Sequence, residues 1–263
     1  MRKAGANGIA LVVAAWHTGT GSSRLEWNSA EKDEAIAAIL LIRSANLRAV
    51  VVPALLYGDS VDRVSQPASI EAASEWLSAF ADAAEVAGAH ALIFPSEAAA
   101  SYRDGDIRVA LASLRRRFSG TLCLNLEGNS ATPYRDVSEH IDLVTLSLHS
   151  GVNGEKERRV LENAAAGAHR RLVLVAGIPS VRLHASLTAY NAAPPARDGL
   201  PEQNELALVE RMLQSRSFHS LIVDARAISD PRLGKEVAKL FDTLRDLRNK
   251  EAFHPRAEIR ESK

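Results

Sequence analysis

The sequence has little of several features that would reveal a protein class directly. It contains one cysteine among 263 residues, which excludes an intrachain disulfide framework and metal sites built from several cysteines. No apolar run reaches the roughly 20 residues that a membrane-spanning helix needs. Basic and acidic residues are equal in number, 32 of each, so no net charge attracts the chain to nucleic acid or to an anionic membrane.

The N-terminus is the one place where an apolar run invites a targeting interpretation. Met1–Lys3 is basic and Ile9–Ala15 is apolar, which resembles a secretory signal peptide. The same run also fits a buried strand that follows the Gly-Ala-Asn-Gly turn. We favour the strand, and with it a cytoplasmic location for the chain as written, because the strand completes a regular series along the sequence.

The chain alternates short apolar runs with helical patterns. The seven runs are Ile9–Ala15, Ala49–Ala54, Ala91–Phe94, Thr121–Leu126, Ile141–Leu148, Leu172–Ala176 and Ser220–Ala225. Most are rich in Val, Leu and Ile without polar alternation, which is typical of strands covered on both faces. Helical periodicity occurs in Glu31–Ser44, Ile70–Ala87, Ile107–Phe118, Glu202–Ser215 and Leu233–Leu247. This alternation predicts an α/β fold with a parallel sheet.

The composition is that of an ordinary globular chain, with 46% hydrophobic and 24% charged residues. It predicts one large domain over residues 1–247. The charged segment Arg248–Lys263 is predicted to be a frayed extension. Cys123 stands inside the apolar run TLCLNL, so we expect a small buried core residue and not a nucleophile.

Two α/β architectures fit the pattern: a doubly wound open sheet and a closed (β/α)8 TIM barrel. Thr18–Ser23 (TGTGSS) lacks the G-x-G-x-x-G spacing and the P-loop lysine of nucleotide-binding sheets, and we interpret it as a flexible loop. A barrel has eight strands, one more than the apolar runs supply. Met1–Gly5 is typical of the end of a helix, so we expect a first strand to be encoded upstream. A barrel without that strand would expose two sheet edges, which another chain or an unusual terminal segment could cover, so an oligomer would be one solution.

The most informative segment is Ala84–Glu97 (AEVAGAHALIFPSE). It reads as the end of a helix, a glycine turn, a buried strand, and then Pro95, which has no N–H to donate to a neighbouring strand. Glu97 follows where a loop should lead to the next helix. In a barrel this end of the strand is the catalytic end. The alternative is that Glu97 only caps the following helix.

The ordered segments together resemble the clan A glycoside hydrolases, in particular the β-mannanase-like (β/α)8 barrels. The resemblance extends from Met1 to about Leu247 and begins at what would be the second strand of that family. It rests on the following pieces in this order: MRKAGANGIALVV, IRSANLRAVVVPALL, WLSAFADAAEVAGAHALIFPSE, LASLRRRFSGTLCLN, IDLVTLSLHS and Gln203 after a loop rich in Pro, Asp and Gly.

The resemblance implies roles for particular residues, and it also shows departures. Glu97 corresponds to the family's acid/base residue, while Ser96 stands where the family has an asparagine. Strand seven of the family ends in a nucleophilic glutamate, but here LVLVAGIPS has Ala176 and Gly177 at that place. Strand eight lacks the family's tryptophan platform. The double displacement of retaining glycosidases, which needs a second carboxylate about 5–5.5 Å away, therefore has no nucleophile at the usual position.

Two other carboxylates follow strands and offer a replacement. Glu127 lies just past the fifth strand of the family, and Asp224 lies at the end of the eighth. A pair about 6.5–9.5 Å apart would suit an inverting mechanism. Either side chain could instead point outward or cap a helix, and Asp224 with Arg226 could form an ordinary ion pair.

The other residues near the predicted strand ends suit a sugar. Trp16 and Tyr57 follow the second and third strands of the family and could stack on sugar faces. His17 and His149 could hydrogen-bond hydroxyl groups, with rim packing as the alternative for all four. No metal-ligand spacing such as H-E-x-x-H occurs, so we predict no metal and no cofactor.

The leading functional hypothesis is a diverged glycosidase-like barrel that binds a carbohydrate, with Glu97 as the surviving acid/base. The runner-up is a pseudoenzyme or barrel module of a larger polysaccharide-associated or tail-like assembly. A third hypothesis, a barrel enzyme acting on a phosphorylated metabolite, depends on Gly177 alone. A serine hydrolase using Ser180 and His184 lacks the G-x-S-x-G elbow.

Overall fold

The computed structural model describes residues 5–17, 25–26, 29–57, 70–94, 104–126, 139–148, 171–176, 206–207, 210, 218–223 and 231–253. The strands are β1 (Gly8–His17), β2 (Leu25–Glu26), β3 (Arg48–Tyr57), β4 (Ala91–Phe94), β5 (Thr121–Leu126), β6 (Leu143–Leu148), β7 (Arg171–Ala176) and β8 (Phe218–Val223). The helices are α1 (Ser29–Ser44), α2 (Ile70–Val86), α3 (Asp104–Arg117) and α4 (Gly234–Phe253). None of these described helices is long and apolar enough to cross a membrane.

Every apolar run that was predicted to be a strand overlaps one of these strands. The N-terminal run Ile9–Ala15 lies within β1, as the strand interpretation predicts. The helix predicted from Leu233 to Leu247 continues to Phe253, so part of the expected tail is helical. Of the predicted helix Glu202–Ser215, only residues 206, 207 and 210 are described, and they are helical.

The order of strands in the sheet distinguishes the two architectures. The eight strands pair in the order β2-β1-β3-β4-β5-β6-β7-β8, and all pairs are parallel except β1 with β2. A doubly wound sheet reverses its strand order at a switch point. The described strands instead follow one another in sequence order, apart from β2 at the edge. This is the winding of a (β/α) barrel.

Burial on both faces of the sheet also indicates a barrel. Leu92 and Leu122 belong to a core cluster with residues of the four helices, among them Ile39, Trp76, Leu111 and Val237. On the opposite face of the same strands, Ile93 and Cys123 are paired in register and each is only 3% exposed. A sheet that is covered by helices on one face can bury the other face by curving into a barrel.

Helix α2 shows how the sequence builds the outer layer. Trp76, Leu77, Phe80 and Ala84 recur at spacings of three and four residues, which form one stripe on a helix. All are buried against the sheet and the neighbouring helices. Burial of each large side chain contributes about 1.5–3 kcal/mol relative to exposure. The helix ends at Val86, and Gly88 shortly after it has a φ of +67°, the left-handed conformation that glycine adopts without steric cost.

Helix α4 lies beside the segment that leads into β1. A Cβ atom built on Gly5 would stand 3.4 Å from Cβ of Phe241. Val237, Leu240 and Leu244 of α4 belong to the same core cluster as the strands. The last described helix is therefore close to both the first and the last strand of the sheet, since it also contacts β8.

Candidate functional site

The predicted site lies at the carboxyl ends of the parallel strands, and the structure fixes where several of those ends are. Most of the predicted residues come shortly after the strands and lie outside the described residues. They are Ser96, Glu97, Glu127, His149, Asp224 and Arg226, and the same holds for Thr18–Ser23, Gly177, Ser180 and His184. Trp16, His17 and Tyr57 are described as members of β1 and β3.

The register of β1 and β3 relates those three positions to one another. Trp16 pairs with Leu56, and His17 pairs with Tyr57. Successive positions of a strand alternate between the two faces of a sheet. Positions 16 and 56 therefore share one face, while positions 17 and 57 share the other. The register thus relates the backbone positions of the three residues, and their common place at one mouth stays a prediction.

Below the strand ends, the inner face of the sheet is a packed floor. Ala91, Ile93, Cys123 and Thr145 are all buried, and Thr145 Oγ1 donates a hydrogen bond of 3.3 Å to the carbonyl oxygen of Leu124. Burial, with a smaller contribution from the charge of Asp142, raises the pKa of the Cys123 thiol to about 12. Cys123 is a core residue, as predicted, and any ligand must bind above this floor.

The pairing of β4 with β5 bears on the two glutamates that follow these strands. Phe94 pairs with Leu124 in the last described pair of the ladder. Glu97 and Glu127 each come three positions later along their own segments of the sequence. The two glutamates therefore have the same sequence separation from one residue pair of the ladder.

Strand β7 ends without an acidic residue. It covers Arg171–Ala176, and its last residue pairs with Leu148 on one side and Val223 on the other. Asp224 is the next residue after Val223 in the sequence. A carboxylate thus follows the neighbouring strand and not β7 itself.

The opposite end of the sheet, at the amino ends of the strands, carries a network of polar contacts. Arg115 Nη1 donates to Asp142 Oδ2 at 2.7 Å, and the backbone N–H of Leu122 donates to the same oxygen at 2.9 Å. Arg115 Nη2 also donates to the carbonyl oxygens of Phe118 and Gly120. Nearby, burial and the positive charge of Arg48 lower the pKa of His90. These contacts join α3 and β5 to Asp142, the residue before β6, and at this end of a barrel such contacts serve stability.

Metal binding finds no support in the described part of the chain. Within it, no group of three or more His, Cys, Asp and Glu side chains is arranged to hold a metal ion.

Strand β2 is the element near the site that the sequence did not predict. Its two residues pair antiparallel with the end of β1: Glu26 with Trp16, and Leu25 with His17. A strand of two residues has no hydrophobic period that could reveal it. Glu26 therefore stands beside Trp16, although it was not among the predicted site residues. The only sequence signal for it is an acidic residue next to Trp27, soon after a glycine-rich segment.

Comparison with solved structures identifies the fold. A GH113 β-1,4-mannanase in a complex has a TM-score of 0.64 and 13% sequence identity, covering 92% of this chain and 89% of that chain. The β-mannanase AaManA from Alicyclobacillus acidocaldarius, in complex with ManMIm, has a TM-score of 0.66 and 14% identity, covering 92% and 90%. No protein-family model and no curated protein matches the chain. The likeness establishes a (β/α) barrel of the kind found in the GH113 β-mannanases, which confirms the predicted fold class.

Proposed function

We propose that this chain is a diverged, glycoside-hydrolase-like barrel whose mouth binds a β-1,4-linked carbohydrate. The single observation that carries the proposal is the structural likeness to GH113 β-mannanases over 92% of the chain. Fold alone does not determine function, because one fold serves many reactions. The acidic residues that follow the strands supply the second part of the argument.

Glu97 is the proposed general acid, and Glu127 is its proposed partner. Phe94 and Leu124 are paired, and Glu97 and Glu127 each come three residues later in the sequence, which supports this choice. Glu97 takes the acid role because it stands where the resembled family has its acid/base residue, and a general acid must be positioned to give its proton to the leaving oxygen.

The proposed reaction is hydrolysis with inversion. Glu97 donates its proton to the glycosidic oxygen as the bond from that oxygen to the anomeric carbon breaks. The Glu127 carboxylate removes a proton from a water molecule, whose oxygen forms the new bond to the anomeric carbon. Asp224 is the alternative base.

Binding without catalysis is the second candidate function. The observation that favours it is that β7 ends at Ala176, so the strand that carries the nucleophile in related glycosidases presents no carboxylate here. A barrel module of a polysaccharide-associated assembly would retain the sugar site and lose turnover. Trp16, His17, Tyr57, Ser96, His149 and Arg226 then remain as the proposed sugar-binding residues.

The deciding experiment measures binding and hydrolysis of β-1,4-linked manno-oligosaccharides by calorimetry and by product analysis. We expect binding by the wild type, and hydrolysis that is abolished by Glu97→Gln. Glu34→Gln, on the exposed side of α1, is the matched control and should change neither. Proton NMR of the fresh product should show the inverted anomer. Turnover with retained configuration would refute the inverting mechanism, binding without turnover would select the module, and no binding would refute both functions.

The identity of the base is tested by two further substitutions. Glu127→Gln should remove turnover while Asp224→Asn retains it, if Glu127 is the base. The opposite result assigns the role to Asp224. Loss of turnover is meaningful only when each variant melts at the temperature of the wild type, which circular dichroism measures.

A further inference from the structure

The short strand β2 places an acidic residue beside an aromatic one at the edge of the sheet. Glu26 and Trp16 are directly opposite each other in an antiparallel pair. Such a pair has its Cβ atoms about 4.5–5.5 Å apart, and both residues stand on the same face of the sheet. Glu26 has no role in the function proposed above, and no periodicity in the sequence pointed to it.

The alternation of β1 indicates which face this is. Ile9, Leu11 and Val13 pack against the core cluster on the helix side of the sheet. Position 16 is an odd number of residues from each of them and so belongs to the opposite face, the one that a barrel encloses. Glu26 shares that face as the direct partner of Trp16, and Leu56 shares it as the partner on β3.

The position of the Trp16–Glu26 pair along β1 also agrees with a place at the mouth. The ladder of β1 with β3 continues through His17 and Tyr57. On β3, Pro53 is the position level with Phe94, because Val51 pairs with Leu92. The pair formed by Trp16 and Glu26 is level with Leu56 and therefore lies above the last residue of β4 that the structure describes.

We propose that Glu26 and Trp16 together bind one sugar ring at the mouth, and that Glu26 selects neutral sugars over uronic acids. This inference rests on the proposed carbohydrate function. An aromatic ring supplies a flat apolar surface for the face of a sugar. A charged carboxylate can only accept hydrogen bonds, so it suits hydroxyl groups, which can donate. It repels the carboxylate of a uronate at short range.

Two ligands with the same linkage distinguish the contribution of the Trp16 ring from that of the Glu26 charge. A β-1,4-linked mannotetraose carries only hydroxyl groups, and the β-1,4-linked tetramannuronate replaces each C6 hydroxymethyl group by a carboxylate. We expect the wild type to bind mannotetraose and to bind the mannuronate more weakly. Replacing the charged acceptor by a neutral amide oxygen should weaken mannotetraose binding roughly tenfold in Glu26→Gln. The same variant should reduce the difference in affinity between mannotetraose and the mannuronate, because the repulsive charge of the carboxylate is gone.

The controls make the inference separable from the function on which it rests. Trp16→Ala should lower the affinity for both ligands by the same factor, whereas Glu34→Gln should leave both affinities unchanged. Calorimetric titration gives the affinities, and thermal melting shows that each variant is folded. If the wild type binds mannotetraose and Glu26→Gln keeps both affinities, the role of Glu26 is refuted and the proposed function stands. If the wild type binds neither ligand, the proposed function fails, and the inference fails with it.

Discussion

Ser119 holds the carboxylate of Glu85 through two hydrogen bonds. Its backbone N–H donates to Oε2 at 2.9 Å, and its hydroxyl donates to Oε1 at 2.8 Å. The contact joins the end of α2 to the turn between α3 and β5. Both bonds favour the charged form of the carboxyl group, and the charge of Arg115 adds to them, so the pKa of Glu85 is lowered.

Glu85→Gln should lower stability near neutral pH and should lose this effect in acid. A carboxyl group whose pKa is lower in the folded state stabilises that state above its unfolded pKa, here 4.5. The contribution disappears as the pH falls through the lower folded pKa. Because the side chain is exposed, the difference should not exceed about 1 kcal/mol. Urea unfolding at several pH values measures it. The exposed Asp33→Asn on α1 serves as control, and a difference that grows in acid would contradict the assignment.

Gly88→Ala should destabilise the protein by roughly 1–2 kcal/mol, since φ is positive at this position. A Cβ atom there would also collide with the guanidinium group of Arg43. That group donates a hydrogen bond of 2.8 Å to the carbonyl oxygen of Ala87. Thermal or urea unfolding measures the cost. In an Arg43→Ala background the collision is absent, so the glycine substitution should cost less there, and an equal cost in both backgrounds would exclude the collision.

Cys123 should resist alkylation in the folded protein. With a pKa of about 12, the thiolate fraction at pH 8 is about one in ten thousand, and the sulfur is also buried. Iodoacetamide should therefore modify the chain only as it unfolds. Mass spectrometry reads the result without ambiguity because the sequence has 1 cysteine. Modification of the native chain at the rate of the urea-unfolded chain would show that the inner face is open.

Trp76 should tolerate phenylalanine and not alanine. Its ring packs against Phe80 with centroids 5.7 Å apart, and within the described part of the structure no acceptor is bonded to its buried Nε1. Trp76→Phe keeps most of the packing and removes the unpaired N–H, so the change should stay within about 1 kcal/mol. Trp76→Ala should cost roughly 3–5 kcal/mol. Equal losses for both variants would mean that the N–H has an acceptor.

The sequence predicted the repeating part of the fold well because that part is encoded locally. Runs such as Leu172–Ala176 carry their own apolar signal, and so does the stripe of α2. The extension of α4 to Phe253 was missed because those residues are charged and have no apolar stripe, although Lys, Glu and Ala are good helix formers.

The site residues stay predictions, for a physical reason. Whether Trp16 shares a face with Tyr57 depends on the register between β1 and β3, which a single sequence does not contain. Strand β2 depends on pairing with a distant segment, and so the neighbourhood of Glu26 was not predictable. Glu97 and Glu127 could be named from their place after apolar runs, and their roles remain predictions.

All four residues of β4 are buried, and this has a consequence for the opposite end of the barrel. A strand that is apolar on both faces would bury equally well after sliding by one residue, yet that slide would exchange its two faces. The register of this strand must therefore come from the backbone. The His90 N–H donates to the carbonyl oxygen of Ala49 at 2.7 Å, and the His90 carbonyl oxygen accepts from the Thr121 N–H at 3.0 Å. A substitution that disturbs these hydrogen bonds at the amino end of β4 could shift the register of the strand. It would then change the position of the strand's carboxyl end without altering any residue of the proposed ligand site.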